Sequence, residues 1–351
     1  MKTALNRLLS YEQPQKYIVE TENYSETFST PVLTAGKSFI LGYTNETTGV
    51  YNGKESPVII FDDFTGDKKY VDFDFKVKSS AMKLLHKVNT SDNLKYLFYA
   101  LQSIKYTPFS HKRIWISEYS NFLIEYRHPQ EQNAIVLALD GINQAIYNKK
   151  QELFSLDELV KSRFIEMFEN KGFPQKTGKE LFKFSSGKFL PSERRLNSGI
   201  PVYGGNGIAW YTDTTLIPFD TLVIGRVGAY CGNVRLVKGN KWITDNALYI
   251  SSFKTKDYSL EFLEELMKMC NFHQFADASA QPKITQKPLE NLTYIIPPIE
   301  LQNEFAEFVK LIDKSKFVCH SKNFLCDIFT FSSSTIAYPS VVSIFVCPKR
   351  C

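Results

Sequence analysis

The side chains best placed to do chemistry are cations, amides and tyrosines in stretches rich in turn formers. They suit the bonding of phosphates and base edges better than the making or breaking of covalent bonds. The first half of the chain offers Lys37, Tyr43, Asn45, Lys54, Lys68, Lys69, Lys83, His111, Lys112 and Arg113. The second half offers Tyr203, Asn206, Arg226, Tyr230, Asn233, Arg235, Lys241, Asn246, Gln281 and Lys283. Lysine and arginine neutralise phosphates, and arginine, asparagine and glutamine bond base edges in the major groove. Interleaved tyrosine and phenylalanine supply apolar surface for thymine methyl groups. Taken singly, each is an ordinary solvated loop residue. Their clustering in corresponding stretches of the two halves is what points to a site.

Catalytic constellations are missing from the sequence. No Gly-x-x-x-x-Gly-Lys-Ser/Thr loop occurs, which argues against an NTP-driven motor. Tyr203-Gly204-Gly205-Asn206-Gly207 could cradle a phosphate or simply make a tight turn. Gly225-Arg226-Val227-Gly228 is half of a dinucleotide fingerprint. Asp62-Asp63, at the end of an apolar run, reads as a carboxylate pair for metal or acid–base work or, with more weight, as loop caps. The comparable place in the second half holds Gly225-Arg226, which is poor support for a catalytic role. Six cysteines contain no Cys-x-x-Cys pair and five histidines are scattered, so no metal site is expected.

The bulk properties are those of a globular chain long enough for two domains: 351 residues, 43% hydrophobic, 23% charged, net charge +5. A pI near 8.6 permits an acidic partner without demanding one. The first residues have too short an apolar run for a signal peptide, and no stretch reads as a membrane span. A cytoplasmic location is expected.

The elements that would position these residues come in two similar sets. Apolar runs bounded by turn formers predict strands over 31–34, 39–42, 58–61, 70–77 and 122–126, with a helix over 94–104. The second set has strands over 201–203, 222–225, 234–237, 247–250 and 294–296, with a helix over 260–267. Pro31-Val32 precedes Pro201-Val202 by the same interval that separates Gln132-Asn133 from Gln302-Asn303. That interval indicates two copies of one domain, each followed by a helix.

The first of these helices, over 130–168, is the most regular stretch of the chain. Ile135, Leu139, Ile142, Ile146, Leu153, Leu156 and Val160 recur at spacings of four and three, interrupted by Lys149. This is a heptad seam seeking a partner helix, with a long core helix as the alternative. At 1.5 Å per residue such a helix is about 60 Å long. The second carries Phe305, Phe308 and Ile312 and loses its pattern near Lys322. The serine-rich tail over 323–351 continues no pattern.

Several segments together resemble the specificity subunits of type I restriction-modification enzymes. They are YEQPQKYIV (11–19), TPVLTAGKSFILGYTNE (30–46), PVIIFDDFTGDKKYVDFDFKVKSSAMKLL (57–85), IPVYGGNGI (200–208), LVIGRVGAYCGNV (222–234) and ITDNALYI (243–250). The junctions YRHPQEQNAI (126–135) and IIPPIELQNEF (295–305) complete the set. The resemblance implies an α+β chain: two mixed α/β target-recognition domains (1–128 and 173–298) held apart by long antiparallel coiled-coil helices (129–172 and a shortened 299–322). It implies that each domain reads half of a split duplex DNA site. It further implies docking of DNA methyltransferase subunits, and through them restriction endonuclease subunits. S-adenosylmethionine, ATP and magnesium would then belong to those partners and none to this chain, which would itself be non-catalytic. The short second helix puts docking of a second methyltransferase copy in question. A helical protein-interaction scaffold and a silent specificity cassette are the alternatives.

Overall fold

The computed structural model describes residues 1–34, 38–106, 113–277 and 281–320, with side chains through 317. Contacts divide the chain into two units, 1–147 and the described residues from 148 onward. The first unit holds β1 (Lys2–Ala4), β2 (Leu9–Glu12), β3 (Thr30–Leu33), β4 (Ile40–Thr44), β5 (Val58–Asp62), β6 (Lys68–Val71), β7 (Lys76–Val77), β8 (Met82–Lys87), α1 (Leu94–Gln102) and β9 (Leu123–Glu125). The long helix α2 (Pro129–Phe168) follows and contains the boundary between the units. The second unit holds β10 (Gln175–Thr177), α3 (Gly178–Leu181), β11 (Phe182–Ser186), β12 (Ile200–Gly204), β13 (Gly207–Thr212), β14 (Thr221–Gly225), β15 (Val234–Val237), β16 (Trp242–Ile243) and β17 (Ala247–Phe253). It ends with α4 (Leu260–Met269), α5 (Gln286–Asn291), β18 (Thr293–Ile295) and α6 (Ile299–His320).

The two units repeat one topology. Strand order β2-β8-β5-β6 matches β11-β17-β14-β15, β4-β3-β7 matches β13-β12-β16, and the pair β1-β9 matches β10-β18. Even the register irregularity recurs, between Val32 and Leu33 in one copy and Val202 and Tyr203 in the other. The central strands β5 and β14 are buried at every position, as expected of strands covered on both faces. Their side chains alternate between two cores. Ile59 and Phe61 pack towards α1, whereas Val58 and Ile60 pack towards β3 and β7. In the second unit Leu222 and Ile224 face α4 and Val223 faces the opposite layer.

The run over 70–77, expected as one strand, is two. β6 lies in the four-stranded sheet and β7 in the three-stranded one, so the chain crosses between layers at residues 72–75. β15 and β16 cross in the same way.

The repeated glutamines explain how each helix is joined to its unit. Gln132 is fully buried; its amide donates to Arg127 O (2.9 Å) and Asp92 Oδ1 (3.0 Å), and its carbonyl accepts from Asn93 N (2.8 Å). Gln302, equally buried, donates to Pro297 O (2.8 Å) and Asp257 O (2.7 Å) and accepts from Ser259 N (3.0 Å). Asn93 and Ser259 are the side-chain N-caps of α1 and α4. One buried amide thus ties the start of each long helix to the start of each core helix.

α2 is continuous, as its periodicity predicts, and its seam is partnered at both ends. Ile135 packs on the first unit's core. Leu156 and Val160 pack with Phe305, Phe308 and Ile312 of α6 in the second unit's core. α6 runs antiparallel to α2: Arg163 bonds Glu304 at 2.7 Å, and Lys316, further along α6, reaches back to Asp157 at 2.8 Å. Leu139, Ile142 and Leu153 are only partly covered and Ile146 is exposed, because α6 engages only the last part of α2.

Candidate nucleic-acid interface

In the second unit four loops meet at one end of the strands. Arg226 N donates to Asn246 O (3.0 Å), Gly228 N to Pro282 O (2.9 Å) and Ile284 N to Arg226 O (2.9 Å). The β12–β13 turn joins them: a Cβ at Gly205 would lie 3.3 Å from Asn246 O, and one at Gly225 would lie 2.3 Å from Tyr230 O. Only glycine at 225 lets these backbones approach so closely. The first unit gathers its loops the same way. Asp63 N donates to Ala81 O (3.2 Å) and Ile114 N to Asp63 O (3.0 Å), and the Lys69 ammonium lies 5.9 Å from the centre of the Phe39 ring.

The superposed topologies bring out two pairs of matching cations. Ile114 and Ile284 make the same backbone bond to the first residue past the central strand, so Arg113 and Lys283, directly before them, are equivalent. Lys69 stands opposite Ile60 and Arg235 opposite Val223, the third residue of each central strand. All four are exposed, and none is ion-paired among the described residues. Cations held at a rigid loop end without carboxylate partners can neutralise phosphates at no cost in broken ion pairs.

The other expected site residues divide. Asn206, Tyr230, Asn233 and Asn246 are exposed on the second unit's loops, Gln281 is exposed beside them, and Tyr203 is half-buried under the turn. Arg226 is half-buried, with one guanidinium nitrogen on Asp245 O (3.2 Å). Lys68 is half-buried, 5.1 Å from the centre of the Tyr119 ring, and burial lowers its pKa.

Two candidates are corrected outright. Lys83 is 1% exposed and paired with buried Asp63 (3.1 Å), and Lys241 is fully buried with its ammonium on Phe219 O (2.6 Å). Neither can reach a phosphate. Burial lowers the Lys241 pKa. Lys54 is exposed but already paired with Asp74 (3.1 Å). With Tyr43 and Asn45 it lies at the far end of the β3–β4 hairpin, away from the gathered loops; Tyr43 and Lys54 line an open cleft of about 450 Å³. Lys37, His111 and Lys112 lie outside the described residues.

The remaining motifs resolve into structural roles. Asp62 caps its turn, accepting from Phe64 N (2.8 Å) and Thr65 N (3.2 Å). Asp63 accepts from Trp115 N (2.8 Å) and so fastens the segment after Arg113. The glycine run is a hairpin turn, Gly204 pairing with Gly207. The space it encloses with Val223 and Arg235 is about 10 Å³, room for one water at most. No cluster of three or more metal-capable side chains occurs among the described residues. Arg195, stacked 4.0 Å over Trp210, was not singled out by sequence; the Arg194-Arg195 doublet was its only signal.

Fold and site together define a class: a duplicated α/β module, each copy β-rich, tied to a long helix and presenting cations at matching loop positions. Comparison with known proteins finds one family repeatedly. Residues 170–322 match the type I restriction modification DNA specificity domain. The specificity subunit of the type I restriction enzyme EcoR124I/EcoR124II of Escherichia coli is 40% identical over 221 residues, covering 56% of this chain and 52% of that one. The EcoprrI specificity subunit, also of Escherichia coli, is 32% identical over 170 residues, 47% of this chain and 41% of that one. This chain spans about half the length of these relatives. In fold it is similar to the S subunit of a type I restriction-modification system from M. genitalium, with a TM-score of 0.61 at 18% identity over 95% of this chain and 94% of that one.

Proposed function

We propose that this chain is the DNA-sequence-recognition subunit of a type I restriction-modification complex. Each unit reads one half of a bipartite duplex site, and the chain catalyses nothing alone. The observation that carries this reading is the recurrence of Arg113/Lys283 and Lys69/Arg235 at equivalent, exposed positions, none ion-paired among the described residues. Two relatives named as specificity subunits support it. The helices α2 and α6 dock methyltransferase subunits, which bring S-adenosylmethionine and recruit the ATP- and magnesium-dependent endonuclease. The complex works in the cytoplasm; among the described residues no helix is long and apolar enough to cross a membrane.

The test is to map methylated adenines in the genomes of cells with and without the chain, alongside its modification subunits. A bipartite motif methylated only in its presence is expected. An identical methylome in both strains refutes the reading.

A further inference from the structure

The cations recur at matching places, and so does one aromatic ring. The loop after each central strand spans residues 63–67 in the first unit and 226–233 in the second. Each presents a single large exposed apolar side chain: Phe64, 38% exposed, and Tyr230, 50% exposed. In neither case is the ring stacked on, or the hydroxyl bonded to, another described residue. A single exposed ring is ordinary on a surface; one at the same place in both loops offers a partner apolar area at each loop end.

Both loops are braced from below. The first is closed by the Asp62 cap and by Gly66 N on Asp62 O (3.0 Å), with buried Asp63 bonded to Trp115 N and paired with Lys83. The second is closed by Cys231 N on Gly228 O (2.9 Å) and Gly232 N on Gly225 O (2.8 Å), with buried Cys231 bonded through its sulfur to Arg226 O (3.3 Å). His273 Nδ1 lies 3.0 Å from Cys231 O. Gly228 and Gly232 adopt φ of 83° and 90°, which bends the chain back beneath Tyr230. A prebuilt tip loses little entropy on binding. Each tip is joined by a backbone bond to the segment carrying a matching cation: Ile114 N on Asp63 O, and Gly228 N on Pro282 O beside Lys283.

We propose that Phe64 and Tyr230 are specificity-determining residues, one for each half-site, that read a base through apolar contact with a thymine methyl group in the major groove. The cations beside them hold phosphates and carry no sequence information; the rings discriminate. This rests on the reading of the loop ends as a DNA interface.

The experiment uses the full chain assembled with its modification subunits and a duplex containing the motif found by methylome mapping. Each thymine is replaced in turn by uracil, which removes only the methyl. Affinity is expected to fall at least fivefold at one thymine in each half-site. Phe64→Ala should abolish that sensitivity in one half and Tyr230→Ala in the other, each with an unchanged salt slope, while Tyr230→Phe keeps it. Specific binding with no uracil effect anywhere overturns the proposal and leaves the DNA-recognition reading intact. So does an alanine variant that weakens specific and non-specific duplexes equally. Absence of any specific DNA binding refutes the underlying reading instead.

Discussion

Gln302→Leu should loosen the joint between α6 and the second unit. The substitution nearly preserves volume, so no cavity forms, but three partners lose their bonds: buried Pro297 O and the less buried Asp257 O and Ser259 N. Leaving a buried polar group unsatisfied costs about 1–3 kcal/mol, less where water can enter, which places the total at about 3–5 kcal/mol. Ser259 is the N-cap of α4, so the loss falls first on that helix. Hydrogen exchange read by peptide mass is the assay, because unfolding of a two-unit chain is not described by one transition. Amide protection in Leu260–Met269 should fall roughly 100- to 3,000-fold at about 1.4 kcal/mol per decade, with α1 unaffected. Gln132→Leu should do the reverse, and exposed Asn303→Ala should change neither. A loss of protection under about fivefold in α4 would refute the clasp.

Three further outcomes follow. Arg113→Gln and Lys283→Gln should each lower the slope of log affinity against log salt by about 0.9 on specific and non-specific duplex alike; titration at several salt concentrations checks it, and an unchanged slope removes the residue from the phosphate contacts. Asp63→Ala should destabilise the first unit by about 3–5 kcal/mol by leaving buried Lys83 unpaired, whereas Asp63→Leu with Lys83→Met should recover much of that loss; hydrogen exchange in Val58–Asp62 and Met82–Lys87 distinguishes the two. Burial alone would raise the Glu46 pKa, but the Lys76 ammonium at 2.6 Å and the backbone amides of Thr21 and Glu20 outweigh it and hold the carboxyl at about 2. Its contribution to the first unit is therefore complete above the ordinary carboxylate pKa of 4.5 and disappears as pH falls from there to about 2; acid unfolding of Glu46→Gln should lack that component.

Sequence alone determined the duplicated architecture, because the evidence for it is local and periodic. The seam of α2, the apolar runs of β5 and β14, the core helices, and the repeated Gln132 and Gln302 are all written in spacings along the chain. The segment bearing Arg113 was legible as a basic and aromatic cluster and the one bearing Lys283 as a polar stretch, because both are matters of local composition. Tertiary structure alone decided which cations are free. Lys83 and Lys69 are indistinguishable as letters, yet one is neutralised by a carboxylate across the sheet and the other faces solvent. Pairing, burial and equivalence between distant loops depend on contacts between residues far apart in the chain. Those contacts arise when strands from different segments close one core, and no spacing along a single segment encodes them.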